Sequence, residues 1–310
     1  MHSRRPTHPR QCARGRRRPL RLRPTNVFHR LWMGAGGRTS HQAGSTNMSL
    51  LTAALDLILP QPCAGCGTPR GLVCPACEEA LARPARLCLP SPVPSGLPPP
   101  FAVAPYAGTV RQLIVAHKER GLTGLARPLG VALARAALAA AESTGTRAPI
   151  VLVPVPSSRE SVRRRGHDPT LRIAREAAKE ATRKATEVSG TVRTATRRAG
   201  HRSAKRAEVS CVPALGHQRR VADQAGLTAP DRATNLAGAL HARLDLRGVS
   251  AIIVDDVVTS GSTLTEAARA LRAAGAEVPA AAVIAATERH AGGPFSSTTP
   301  SRRQEGSLQT

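Results

Sequence analysis

The chain is poor in aromatic rings. Phe28, Trp32, Phe101, Tyr106 and Phe295 are all the Phe, Trp and Tyr it has in 310 residues, and only Phe101 and Tyr106 fall in segments expected to be ordered. Single-stranded nucleic-acid platforms stack bases on several aromatics, so the scarcity argues against a base-stacking role and leaves only backbone binding by arginine. Acids are scarce too: 20 Asp and Glu stand against 45 Lys and Arg, a formal charge of +25. Two segments carry most of that excess. Met1–Asn47 has eleven Arg, no Lys and no acid, hence +11, and Lys179–Arg206 has nine basic residues against two Glu, hence +7. The rest of the chain holds +7, so only part of the basicity belongs to a folded body. No apolar run approaches the roughly 18 residues of a spanning helix, which points to no membrane partner. The N-terminus lacks the apolar core of a secretory signal. An acid-free, Arg-rich leader has the composition of an organelle transit peptide. The simpler expectation is a bacterial, cytoplasmic protein from a GC-rich genome, whose translation begins at Met48.

What is present centres on Ala251–Leu264, AIIVDDVVTSGSTL. Four apolar residues without alternation suit a strand buried on both faces, as in a parallel sheet. Asp255 and Asp256 follow, then Val257 and a hydroxyl-rich loop of Thr259, Ser260, Gly261, Ser262 and Thr263. A helix is expected next: Thr263 and Glu266 have capping-box spacing, Leu264, Ala267, Ala268 and Leu271 share a face, and Gly275 is placed to end it. Such a strand-to-helix loop points amides and hydroxyls into one concavity at a helix N-terminus, which suits a phosphate. Carboxylates beside it would repel that phosphate unless they accept hydrogen bonds from adjacent sugar hydroxyls. Phosphate and diol together describe a ribose 5-phosphate. The blander reading is a buried strand whose acids cap a turn.

Cys63-Ala-Gly-Cys66 and Cys74-Pro-Ala-Cys77 are two C-x-x-C pairs seven residues apart. Each pair forms a knuckle aiming two thiolates at one point, so the spacing predicts a compact structural zinc site with no open position for catalysis. Disulfides and a redox C-x-x-C are the alternatives. Cys12, Cys88 and Cys211 have no partner at ligand spacing.

Residues 1–47 read as a disordered leader, 48–81 as a helix (Ser49–Leu59) plus the cysteine module, and 82–100 as an extended Pro-rich linker. The body is expected over 101–290, interrupted by a flexible basic insertion at 182–206, and 291–310 reads as a disordered Ser/Thr/Pro-rich tail. Phe101–Tyr106, Pro149–Pro156, Glu208–Pro213, Arg247–Asp256 and Pro279–Ala286 read as strands; Thr109–His117, Leu125–Ala141 and a segment capped by Asp168-Pro169 read as helices. Arg219–Leu240 reads as a loop and one short helix. Ser157 lies at a strand's carboxyl end, where open α/β sheets bind ligands. Lys118, Arg159 and Arg163 are candidates for a diphosphate, with a solvated basic face as the alternative. His117, on an apolar face, reads as a packed residue.

The DD–TSGST stretch resembles the phosphoribosyl-diphosphate signature of type I phosphoribosyltransferases. With CAGCG, CPAC, YAGTVRQLIVAHKERG, VPVP, RRRGHDP and QAGLT–DR–NLAGAL, the chain resembles the ComF/GntX family from Leu50 to about His290. It departs from that family at Ser262, where many members have glycine, and at His167-Asp168-Pro169, and it keeps only Cys88 of a second cysteine pair. The resemblance implies a parallel α/β sheet flanked by helices with a small hood. It implies that Asp255 and Asp256 hold the ribose hydroxyls, that Thr259–Thr263 cradle the 5-phosphate, and that phosphoribosyl diphosphate binds with Mg²⁺. Gln224, Arg232 and Asn235 match the family pattern without an assignable role. Two functions follow: transfer of a phosphoribosyl group to an unidentified nitrogen acceptor, or a non-catalytic accessory of DNA uptake that binds single-stranded DNA or a competence helicase. A regulator retaining the fold is a third reading, without a recognisable DNA-binding helix pair. A homo-oligomer is compatible with all of them.

Overall fold

A computed structural model of the chain describes residues 61–146, 149–196, 209–218 and 236–287, without the side chains of 188–196. In chain order the elements are α1 (Pro75–Leu81), β1 (Arg86–Leu87), β2 (Pro100–Pro105), α2 (Gly108–Glu119), a short 3₁₀ turn, α3 (Ala126–Ser143), β3 (Ile150–Pro154), α4 (Arg159–Arg165), α5 (Pro169–Thr196), β4 (Val209–Cys211), β5 (Leu215–His217), β6 (Leu240–Ala242), β7 (Ala251–Val258), α6 (Ser262–Ala273) and β8 (Ala281–Ala286).

The apolar runs form one sheet in the order β1-β2-β8-β7-β3-β4. Its neighbours are parallel except β1, which runs antiparallel to β2 along one edge. Apolar residues on both faces of a strand need cover on both sides. Ile252 and Val254 face a core shared with α2, α3 and α5, whereas Ala251 and Ile253 face a second core under α6 and the β5–β6 hairpin. That hairpin is the hood expected from the resemblance, and Glu266 of α6 holds it by accepting from the Leu240 amide at 2.9 Å.

Helix α3 with its 3₁₀ lead-in, Thr123–Ser143, is long and apolar enough by composition to cross a membrane, but it is the mostly buried core helix here. Its Gly130 lets α5 come close: a Cβ there would lie 2.5 Å from Glu176 Cβ. Asp168 caps α5 by accepting from the Leu171 amide at 3.1 Å, and Pro169 is its first residue.

Two expectations are corrected. Residues 182–196 do not form a loop, because α5 runs on to Thr196. Glu180, Arg183 and Glu187 are paired along its surface, and such spacings support a solvated helix. Nor is 82–100 a free linker. β1 pairs with β2, Cys88 is buried, the Cys88 amide donates to Pro100 O at 2.8 Å, and Arg272 of α6 donates to Gly96 O at 2.6 Å. Nor is it extended throughout, contrary to what composition implied: it bends at Ser91-Pro92 and turns at Pro94–Leu97, where the Leu97 amide donates to Pro94 O at 3.2 Å, and it lies as a strap on the body. The leader, the Ser49–Leu59 helix, residues 197–206, most of Arg219–Leu240 and the tail lie outside the described residues, as do Gln224, Arg232 and Asn235.

Candidate functional site

β3 and β7 are neighbours whose following connections run to opposite sides of the sheet, to β4 and to β8. Ligands bind outside the carboxyl ends of strands at such a switch point. Register shows why it opens here. β3 pairs with β7 up to Pro154 opposite Val254, and the last contact is the Val155 amide on Val254 O at 2.9 Å. β7 continues for four residues, still paired with β8 through Val258 opposite Ala286. Asp255 and Asp256 are therefore the first residues of β7 past the point where β3 has turned away.

A cavity of about 330 Å³ occupies this crevice. Asp255, Asp256, Val257 and Thr259 line one side, Val155, Pro156 and Ser157 another, and Tyr106, Lys118 and Thr170 close it. Ser157 is fixed by Asp168, which accepts from its amide and its hydroxyl, each at 3.0 Å. Tyr106 and Thr170 were not singled out by sequence reasoning; only their positions at the ends of β2 and the start of α5 could have suggested them.

The acids differ sharply. Asp256 is buried and forms an ion pair with Lys118, at the end of α2. Burial pushes the Asp256 carboxyl up, but the Lys118 ammonium outweighs it and holds the pKa below the usual value. For Lys118, burial is likewise outweighed by Asp256 and Asp255, so its pKa stands above the ordinary one. Asp255 is raised well above the usual range by burial and then by the charge of Asp256, although Lys118 opposes this. One acid is thus a firm anion and the other a reluctant one, suited to accepting and donating around a pair of hydroxyls.

Past Val258 the chain turns through Thr259–Gly261 into α6. Gly261 is the N-cap residue in a left-handed conformation, φ +78°, and a Cβ on it would sit 3.1 Å from Leu97 and 3.2 Å from Pro90 of the strap. The Ser260 and Ser262 hydroxyls lie 2.9 Å apart. Among the described residues nothing accepts from the amides of Thr263 and Leu264, so these first-turn donors of α6 have no acceptor there, as at a helix end that receives an anion. The expected Thr263–Glu266 capping box does not form. The helix begins one residue before Thr263, and Glu266 is drawn to Leu240 and Arg269 instead. Ser260–Thr263 follow the cavity wall without lining it. Arg159 and Arg163 are exposed on α4, outside the cavity. His117 is fully buried, its ring nitrogens each 3.3 Å from a carbonyl oxygen, of Leu122 and of Pro169, and burial lowers its pKa.

The sulfurs of Cys63, Cys66, Cys74 and Cys77 all lie within 4.8 Å of one another. Four thiolates about 2.3 Å from one ion have comparable separations, so the cluster fits a structural zinc. The Cys66 pKa is lowered to about 6, chiefly by hydrogen bonding from Thr68 and then by Cys74. Cys88 and Cys211 stand outside this cluster.

Residues 178–304 match the phosphoribosyl transferase domain model. The match covers the acid pair, the hydroxyl loop and α6, and the described sheet it belongs to is mostly parallel and flanked by helices. A stretch of 41 residues is 56% identical to an adenine phosphoribosyltransferase of Mycobacterium avium (strain 104), and equally to one of Mycolicibacterium paratuberculosis (strain ATCC BAA-968 / K-10). That stretch is 13% of this chain and 23% of the length of each relative.

Proposed function

We propose that the chain is a phosphoribosyltransferase of the ComF/GntX type that binds phosphoribosyl diphosphate in the β3–β7 crevice and transfers the phosphoribosyl group to a nitrogen acceptor in the bacterial cytoplasm. The observation that carries this reading is the pairing of two acids in the crevice wall with an uncapped helix N-terminus on the next turn. In it, Asp256 and Asp255 grip the ribose 2- and 3-hydroxyls. The loop Thr259–Thr263 holds the 5-phosphate at the first turn of α6. Lys118 and Ser157, which line the same cavity, face the leaving diphosphate. Magnesium bound with the diphosphate would supply charge neutralisation. As the anomeric C–O bond breaks, positive charge develops on the ribose ring, and the acceptor nitrogen forms the new bond at that carbon. The protein acts by holding sugar and phosphate in register and by stabilising the leaving charge. Zinc at Cys63, Cys66, Cys74 and Cys77 is structural.

The test is calorimetric titration of phosphoribosyl diphosphate with Mg²⁺ into wild type and Asp256→Asn. Loss of one charge-assisted hydrogen bond predicts a Kd higher by about 10- to 100-fold. Equal affinities would remove the acid pair from the site. Diphosphate release in a panel of nitrogen bases, adenine among them, then identifies the acceptor.

A further inference from the structure

The last turn of α2 and its C-cap residue Arg120 join separate parts of the molecule through four consecutive side chains. His117 meets the Pro169 carbonyl at the start of α5 at 3.3 Å. Lys118 pairs with Asp256 in the crevice. Glu119 accepts from Arg165 of α4 at 2.6 Å. Arg120 donates to the Ala64 carbonyl, inside the first cysteine knuckle, at 3.0 Å. The same knuckle packs on α2 from behind. A Cβ at Gly65 would lie 2.9 Å from Cys77 Sγ and 3.2 Å from Leu113 Cγ, and Leu113 is fully buried. The cysteine module and Asp256 are therefore both attached to α2 and its C-cap residue.

We propose that α2 couples the two sites: the four-cysteine cluster, when it holds a metal, fixes the α2 end that places Lys118 against Asp256, with Arg120 as a positioning residue. Leu113 packs against the knuckle at Gly65 while Arg120 and Lys118 follow at the same end of the helix, so a knuckle that loosens shifts Lys118 relative to β7. Linkage makes the effect reciprocal: metal binding strengthens the Lys118–Asp256 contact by the same coupling free energy with which that contact strengthens metal binding. The coupling rests only on contacts within the free protein. Its consequence for ligand binding rests on the proposed function.

The test measures zinc affinity of the full-length protein by competition with a chromogenic chelator, in wild type, Lys118→Met, Arg120→Ala and Gly130→Ala. Gly130→Ala crowds Glu176 in the α3–α5 contact and touches neither site, so it reports general loss of stability. Zinc affinity is expected to fall by about fivefold or more in Lys118→Met and Arg120→Ala, the lower end of ordinary coupling between sites. It should move less in Gly130→Ala. Unchanged affinity in Lys118→Met, or an equal fall in Gly130→Ala, overturns the coupling. In a second arm, saturating phosphoribosyl diphosphate with Mg²⁺ should shift the zinc affinity of wild type and shift it less in Arg120→Ala; an equal shift in both overturns the role of Arg120. Failure of the zinc-loaded wild type to bind phosphoribosyl diphosphate would count against the proposed function, while the first arm still decides the coupling.

Discussion

Removing the Lys118 charge should expose how much of the crevice depends on it. Asp256 is 4% exposed and the Lys118 side chain 30%. A fully buried pair that loses one partner costs about 3–5 kcal/mol, and an exposed pair is worth about 0–1 kcal/mol. With one partner buried and the other partly solvated, Lys118→Met should cost about 2–3 kcal/mol. Most of this is the penalty of leaving Asp256 charged beside Asp255 without a counter-ion. Asp256→Asn should cost less, since asparagine keeps hydrogen-bonding capacity and relieves the repulsion on Asp255. In the double variant the stranded charge is gone, so the two losses should not add, and a coupling of about 1.5–2 kcal/mol is expected. Urea unfolding of the four proteins at pH 7, read by far-UV circular dichroism, gives each stability. Raised salt should lower the coupling only slightly, because a buried pair is poorly screened. A coupling below about 0.5 kcal/mol would show the contact to be a surface pair and would refute the reasoning.

Three further outcomes are expected. Gly261→Ala forces a Cβ against Leu97 and Pro90 at a left-handed φ, so stability should fall by at least about 1–2 kcal/mol in the same urea assay; full stability would mean the strap does not seat on the loop. The raised Asp255 pKa means the folded state holds this proton more tightly than the unfolded chain does. Wild type should therefore lose stability as pH rises from about 4, the unfolded value, toward the raised folded one, and Asp255→Asn should lack that loss; thermal midpoints parallel from pH 4 to 8 would contradict it. Gly130→Ala should destabilise by about 1–3 kcal/mol through overpacking against Glu176 and Ala177, and a midpoint equal to wild type would mean α3 and α5 are not in close contact.

The parts of this protein that could be read from sequence are those in which one short segment determines its own environment. The run Ala251–Val254 announced a strand buried on both faces, and it lies in the middle of the sheet. Asp168-Pro169 carries a cap in two residues, and α5 starts there. The cysteine spacing brought four sulfurs together because each knuckle is local. Failures came where a segment's state depends on a distant partner. The Pro-rich strap looks extended but bends at Ser91-Pro92 and turns at Pro94–Leu97, and nothing within Cys88–Pro100 says that Arg272 and the Gly261 loop will hold it. Thr263-x-x-Glu266 has the spacing of a capping box, yet the hairpin amide of Leu240 offers Glu266 a buried partner and takes it away. The hood strands β5 and β6 are three residues each, too short for any periodic signal, and are held by each other and by α6.

Lys118 sits between these cases. Its placement as an anion-binding candidate was open to sequence reasoning, because it lies at the end of an amphipathic helix beside Gly121. Its pairing with Asp256 was not, because that contact requires β3 to stop at Pro154 while β7 runs on to Val258. The unequal lengths of two neighbouring strands thus create the crevice and bare the acids, and a lysine from the helix layer supplies the compensating charge. A ligand carrying a diol and a diphosphate makes competing demands on that lysine, since the acids hold it in the free protein and a leaving anion would draw it away. Replacing Lys118 should for that reason weaken diphosphate binding more than binding of ribose 5-phosphate, which keeps the sugar and the 5-phosphate but lacks the leaving group. Parallel calorimetric titrations of Lys118→Met with diphosphate and with ribose 5-phosphate measure the difference. Equal losses for both would place Lys118 with the two acids rather than with the proposed leaving group.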